Sequence, residues 1–358
     1  MGAMRIAFAL LLAVACTAEP ESPARPREPM PSERRLKNLR QLTFGGENAE
    51  AYWSFDETRL IFQSTRPPYT ADQIFTMRAD GSDVRLVSTG KGRTTCAYFL
   101  PGDARILYAS THAAGDAPPA PPDRSKGYVW ALYPAYDIYT ADPDGSNVKV
   151  LSRTGAYDAE ATVSPAGDRI VFTSTRDGDI ELYSMKVDGS DVKRLTDRPG
   201  YDGGAFFSWD GKKIVWRAPG EGDALAEDYD PLLRMGLVRP ARLEIWIMDA
   251  DGSNKKQVTR NGAANFAPFW HPDGKRIIFS SNHHDEKGMN FDLFLVHVET
   301  GEQERVTFFE RMREGARRSD DFDGFPMFTR DGKRLVFCSN RYNDEPNETN
   351  VFVADWVD

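Results

Sequence analysis

Short apolar runs that close on an aromatic residue recur six times along the chain: TRLIF (58–62), ARILY (104–108), DRIVF (168–172), KKIVW (212–216), KRIIF (275–279) and KRLVF (333–337). Polar turns such as SPAGD, SWDGK, HPDGK and TRDGK precede them. Within each unit the apolar positions alternate or cluster over four to eight residues, with Gly, Asp and Asn between them, which is the pattern of strands joined by hairpins. One unit shows the layout in full. Strand a is ATVS (161–164), strand b RIVFTS (169–174), strand c IELYSMKV (180–187) and strand d KRLT (193–196). The Asp-Gly steps at 80–81, 144–145, 188–189 and 251–252 supply the positive φ that a tight c–d turn needs.

A four-stranded unit cannot bury both of its faces alone, whereas six arranged radially can. The predicted fold class is therefore all-β, a six-bladed β-propeller with four-stranded blades over residues 36–358. The strand-b aromatics, Phe62, Tyr108, Phe172, Trp216, Phe279 and Phe337, are spaced 46, 64, 44, 63 and 58 apart, so the longer units carry insertions. The sixth unit has a strand c, NVFVADWV (350–357), and no strand d after it. The segment LRQLT (39–43) resembles the fourth-strand endings VKRLT and KKQVT. Residues 36–43 are predicted to complete the last blade and close the ring, which removes an exposed sheet edge.

The first residues follow a different pattern. Met1–Ala15 holds one arginine, Arg5, and the apolar run IAFALLLAVA, too short to span a bilayer and suited to a signal-peptide core. Cys16 directly after Ala13-Val14-Ala15 resembles a bacterial lipobox, with Ala13 where leucine is usual. Lipidation of Cys16 and ordinary signal cleavage both fit. Residues 16–35, rich in Pro, Glu and Arg without apolar period, read as a disordered tether. Only Cys96 and Cys338 follow, in non-neighbouring units, too few for a disulfide framework or a metal site. A formal charge of -9 gives no basic patch for nucleic acid.

The motifs SPAGDRIVFTSTRDGDIELY, HPDGKRIIFSSN and TRDGKRLVFCSNR make the units resemble the WD40-like repeats of TolB-type six-bladed propellers, periplasmic proteins of Gram-negative bacteria. The resemblance covers residues 36–358. True TolB proteins add an N-terminal α/β domain, for which the tether leaves no room. The resemblance implies a monomer of the periplasm or outer membrane, held to the membrane only through a lipid anchor. Related repeats occur in oligogalacturonate lyases.

In such a blade the a–b and c–d turns share one face, and here they are short. The insertions fall on the other face, at 112–136, 217–243, 282–291 and 340–349, with a long d–a link at 308–324. A short helix is expected around 225–236. Loops on a rigid scaffold are where binding residues concentrate. Four residues after each strand-b aromatic stand Arg66, His112, Arg176, Gly220, His283 and Arg341. They read either as partners of the acids that open strand c or as an anion- or partner-binding rim at the channel mouth. The 112–136 insertion adds Arg124, Tyr128 and Trp130 as interface anchors or a saccharide platform. The histidines are too dispersed for a transition metal, no cofactor is implied, and no GxSxG elbow or assembled acid–base constellation marks a catalytic residue. The expected function is a non-enzymatic envelope scaffold that binds a protein partner or a saccharide ligand on the long-loop face. The alternative is a carbohydrate-acting enzyme with its site at the channel mouth.

Overall fold

The computed structural model describes residues 24–308 and 321–358. The signal sequence 1–15, Cys16 and residues 17–23 lie outside the described residues, as does most of the 308–324 link. Six antiparallel four-stranded sheets form the predicted ring. Strand a, the innermost, is Glu47–Trp53, Thr94–Phe99, Asp158–Val163, Gly203–Phe207, Asn265–Trp270 and Asp323–Phe328 in blades 1 to 6. Blade 1 continues through b (Arg59–Thr65), c (Gln73–Arg78) and d (Arg85–Leu86), and the other blades repeat this meander.

Each blade is built on the aromatic that ends its strand b. Phe62, Tyr108, Phe172, Trp216, Phe279 and Phe337 are all buried. Each lies beside a strand-c aromatic with ring centroids 5.7–6.1 Å apart, as in Phe62–Phe75 and Phe337–Phe352. Such a pair adds about 0.5–1.5 kcal/mol beyond the area it buries. The Asp-Gly turns dock blade on blade. At Gly145 (φ 84°) an added Cβ would stand 2.6 Å from the Val87 carbonyl of blade 1, so only glycine fits there.

Ring closure is as expected. Leu36–Gln41 pairs with Asn350–Trp356 as the outer strand of blade 6, Leu36 opposite Trp356 and Gln41 opposite Phe352. The expected tether differs from residue 24 onward. Arg25–Pro26 adds a fifth strand against Arg40 and Gln41, and Arg27 grips the Gln41 side chain at 2.7 and 2.9 Å. Glu33 is 2% exposed and pairs with the fully buried Arg341 at 3.0 Å. The segment attaches through backbone pairing and charge rather than apolar burial, which is why its composition reads as disordered. Among the described residues no helix is long and apolar enough to cross a membrane.

Candidate functional site

Every strand a carries a register shift at the same place, one extra residue set into the pairing. The residue there adopts a left-handed backbone: Glu50, Cys96, Glu160, Gly204, Ala267 and Phe325, with φ between 46° and 63°. A β-bulge re-aims a side chain. All six of these residues line one cavity of about 730 Å³ in the central channel. Two positions deeper a second layer, including Tyr52, Tyr98, Phe206 and Phe269, plugs the channel. Tyr52 lies 5.6 Å from Tyr98 and 5.4 Å from Phe206, and Phe206 lies 5.3 Å from Phe269.

The other end of the cavity is capped. The insertions of blades 2 and 4 meet over the channel, where Trp130–Ala131 pairs antiparallel with Leu237–Val238. The expected helix forms at Tyr229–Arg234 and buries Tyr229 and Leu232 beneath the cap. Arg239 bonds the Lys126 and Tyr128 carbonyls at 2.9 and 3.2 Å and pairs with Asp228 at 2.8 Å. Trp130 lies 5.5 Å from Phe266 and 6.0 Å from Tyr201, and donates to the Tyr128 hydroxyl at 3.1 Å.

Two of the bulge residues, Glu160 and Glu50, bring carboxyl groups to the wall. Glu160 is fully engaged: it accepts from Arg217 at 2.7 Å, Tyr201 at 2.9 Å, Thr173 at 2.7 Å and the Gly204 amide at 3.0 Å. Arg217 in turn sits 5.1 Å from the Trp130 ring and 5.6 Å from Phe266, which ties the channel wall to the cap. Glu50 has no such neighbourhood. Its hydrogen-bond partner is the Cys96 thiol at 3.7 Å, and burial, with the Glu160 charge next, pushes its carboxyl up to about 7. Burial, then the Glu50 charge, also raises the Cys96 thiol well above its ordinary value, so it is not a thiolate nucleophile. Further along the wall Arg93 pairs with Asp72, which also accepts from Thr65 at 2.7 Å.

Of the residues singled out from sequence, Tyr128 and Trp130 line the cavity, and Tyr128 is 71% exposed at its rim. Arg124 lies in the short turn Arg124–Lys126 of the same insertion. The expected basic rim does not form, because Arg66, His112, Arg176, His283 and Arg341 lie on their own blades and none lines the cavity. Each approaches a serine at the end of strand b, the last residue in every case but Ser64, which is last but one. Arg66, Arg176 and Arg341 donate Nε to Ser64, Ser174 and Ser339 at 3.0, 2.9 and 3.1 Å. His112 and His283 meet Ser110 and Ser281 at 2.9 and 3.0 Å and cover Tyr139 and Phe294 at 4.2 Å. The arginines reach inward to Asn48, Asp158 and Asp323 of strand a, at 2.9, 2.9 and 2.7 Å. The strand-c acids Asp137, Glu181 and Asp292 pair instead with Arg153, Arg194 and Arg305 beyond them. Burial first, then nearby cations, lowers the pKa of both His112 and His283, so they are neutral at pH 7. Blade 4, with Gly220 at this position, places Arg198 over Trp246 at 4.4 Å instead. Among the described residues no cluster of three or more His, Cys, Asp or Glu is placed to hold a metal ion.

The bulge ring was not anticipated, although strand a carries a sign of it. In AEAYW, TCAYF, GGAFF, FAPFW and GFPMF two large residues stand side by side, which breaks the alternation of a regular strand.

A fold of this geometry is that of the TolB-type six-bladed propellers. TolB from Acinetobacter baumannii superposes with a TM-score of 0.55 at 18% identity, over 87% of this chain and 64% of that one. The present chain thus spans under two thirds of that protein. A second TolB-type protein, from Agrobacterium tumefaciens, gives 0.55 at 16% identity, over 87% and 91% of the two chains. The oligogalacturonate lyase of Vibrio parahaemolyticus gives 0.51 at 12% identity, over 90% and 94%. No protein-family model matches the chain.

Proposed function

We propose that this protein is a non-catalytic binding propeller of the cell envelope that holds a ligand in the capped channel on its long-loop face. The observation that carries the reading is the cavity. Its volume of about 730 Å³ falls in the ~300–1,000 Å³ range of small-molecule sites. One end is plugged, a third of the lining residues are aromatic, and the two longest insertions are folded into a lid over it. A concave site of this size favours a small ligand, a saccharide among the candidates, over a docked protein. The envelope location rests on the apolar run before Cys16 and on the likeness to TolB-type propellers. The test is thermal-shift and native mass-spectrometric screening of envelope saccharides and small metabolites. Compounds should stabilise the intact chain and lose that effect when residues 114–134 are deleted. Ligands that bind the deleted chain equally well would refute the reading.

A second reading is a carbohydrate-acting enzyme at the same mouth. Glu50 favours it, as a carboxyl titrating near neutrality in a cavity, which is suited to proton transfer. Turnover of a polysaccharide that is lost in Glu50→Gln would establish it, and absence of turnover across a panel leaves the binding role.

A further inference from the structure

We propose that the ligand of the capped channel is a small organic cation, an amine or quaternary ammonium, seated on the aromatic wall with Glu50 as its counter-ion. The inference rests on the binding role above and specifies its chemistry.

Among the described residues of known pairing that line the cavity, the carboxyl groups of Glu50, Asp72 and Glu160 face two guanidiniums, on Arg93 and Arg217. Both guanidiniums are already committed, Arg93 to Asp72 and Arg217 to Glu160. No ion pair engages Glu50 among the described residues, and its one polar contact is the Cys96 thiol. An acidic saccharide would meet carboxylates whose neutralising cations are spent. A ligand cation would meet an acid without a counter-ion.

The wall is also of a kind that holds cations. Rings attract a positive charge placed over the face within about 6 Å of the centroid. Arg217 shows this within the protein, at 5.1 Å from Trp130, 5.4 Å from Tyr201 and 5.6 Å from Phe266. The aromatic surface continues beyond Arg217 through Phe291 and Phe322, with ring centroids 5.4 and 6.3 Å apart along the series from Phe266. These rings line the cavity and carry no cation of their own among the described contacts.

Glu50 also makes the site sensitive to pH. The groups facing it are Cys96 from blade 2, Glu160 from blade 3, Arg217 from blade 4, Tyr52 and Asp72 from its own blade and Cys338 from blade 6. Glu160 is tied to Arg217 and Asp72 to Arg93, while burial keeps both thiols neutral, that of Cys338 pushed up to about 12. A ligand cation needs the ionised form of Glu50. With a carboxyl near 7, that form grows about tenfold between pH 6 and pH 8.

The experiment is isothermal titration of the full chain with choline, spermidine and benzyltrimethylammonium. The neutral controls are 3,3-dimethylbutan-1-ol and cellobiose, and the anionic control is digalacturonate. At least one cation should bind, about tenfold more tightly at pH 8 than at pH 6. Glu50→Gln, melting no lower than wild type, should weaken that binding about tenfold at pH 8 and flatten its pH dependence. Cation binding indifferent to pH and to Glu50→Gln overturns the proposal, as does binding of none of the three. Digalacturonate or cellobiose binding that is lost in Trp130→Ala rejects the cation and keeps the cavity as a ligand site. If no probe binds and deletion of 114–134 changes nothing in the metabolite screen, both readings fall.

Discussion

Replacing Glu33 by alanine removes one of the two carboxylates that, among the described residues, pair with Arg341, a side chain with no exposed surface. The Arg341 guanidinium contacts Glu33 at 3.0 and 3.2 Å, Asp323 at 2.7 Å and Ser339 at 3.1 Å. Asp323 cannot compensate well, because burial already raises its carboxyl against the pull of Arg341. The backbone amides of Met30 and Phe308 lose their acceptor as well, at 2.8 and 3.1 Å. Removing one member of a buried pair costs about 3–5 kcal/mol, because the other is left charged and dry. At roughly 2.1 cal/mol/K of unfolding entropy per residue, a domain of this size should melt about 4–8 °C lower. Circular-dichroism melting and urea titration read the change directly. The double variant Glu33→Ala with Arg341→Met should cost less than the sum of the two single variants, because each single change leaves one member of the Glu33–Arg341 pair charged and dry and the double change leaves neither. A shift under about 1 °C for the single variant, or a double variant no better than the sum of the singles, would refute the buried-pair reasoning.

Three further outcomes are expected. A carboxyl raised in the fold opposes folding once ionised, so wild type should lose stability as pH climbs from 4.5 through about 7. Glu50→Gln should then be more stable at pH 8 by up to about 3 kcal/mol and equal at pH 4, and parallel pH curves would contradict this. Phe206→Ala should cost about 3–5 kcal/mol by opening the plug between Tyr52, Tyr98 and Phe269, visible as a lowered urea midpoint. His112→Ala and His283→Ala each remove a ring from Tyr139 or Phe294 and should cost on the order of 1 kcal/mol with ligand binding intact. Loss of binding in either histidine variant would return the imidazoles to the site.

The fold was legible because its strongest periodic signal, the strand-b aromatic, is also the centre of each blade. Ring closure followed from LRQLT, since a fourth strand has the same apolar positions wherever it stands in the chain. The site was harder to read. Arg66, Arg176 and Arg341 look like a rim when aligned by position, but sequence does not show that Asn48, Asp158 and Asp323 stand within reach across the a–b pair. Trp130 and Tyr128 were found because aromatics in a long loop are conspicuous. Glu50 and Glu160 sit inside short strands, where one carboxylate looks like any solvent-facing residue. Only the bulge, a matter of register, turns them into the channel. Residues 24–35 were misread because composition weighs apolar burial and has no measure for a single buried ion pair.

The ring of bulges separates two requirements that a strand usually satisfies together. At each bulge the left-handed backbone is held by the pairing on either side, at a cost of about 1 kcal/mol or more where the residue is not glycine. The occupants here are Glu, Cys, Glu, Gly, Ala and Phe, six outcomes on one repeated frame, while the small residue that follows is Ala or Pro in every blade. Single changes at these six places alter what the channel presents without touching the aromatic centres that fold the blades. The scaffold therefore separates the chemistry of its channel from its architecture, and a point substitution at a bulge changes the first while the second stays constant.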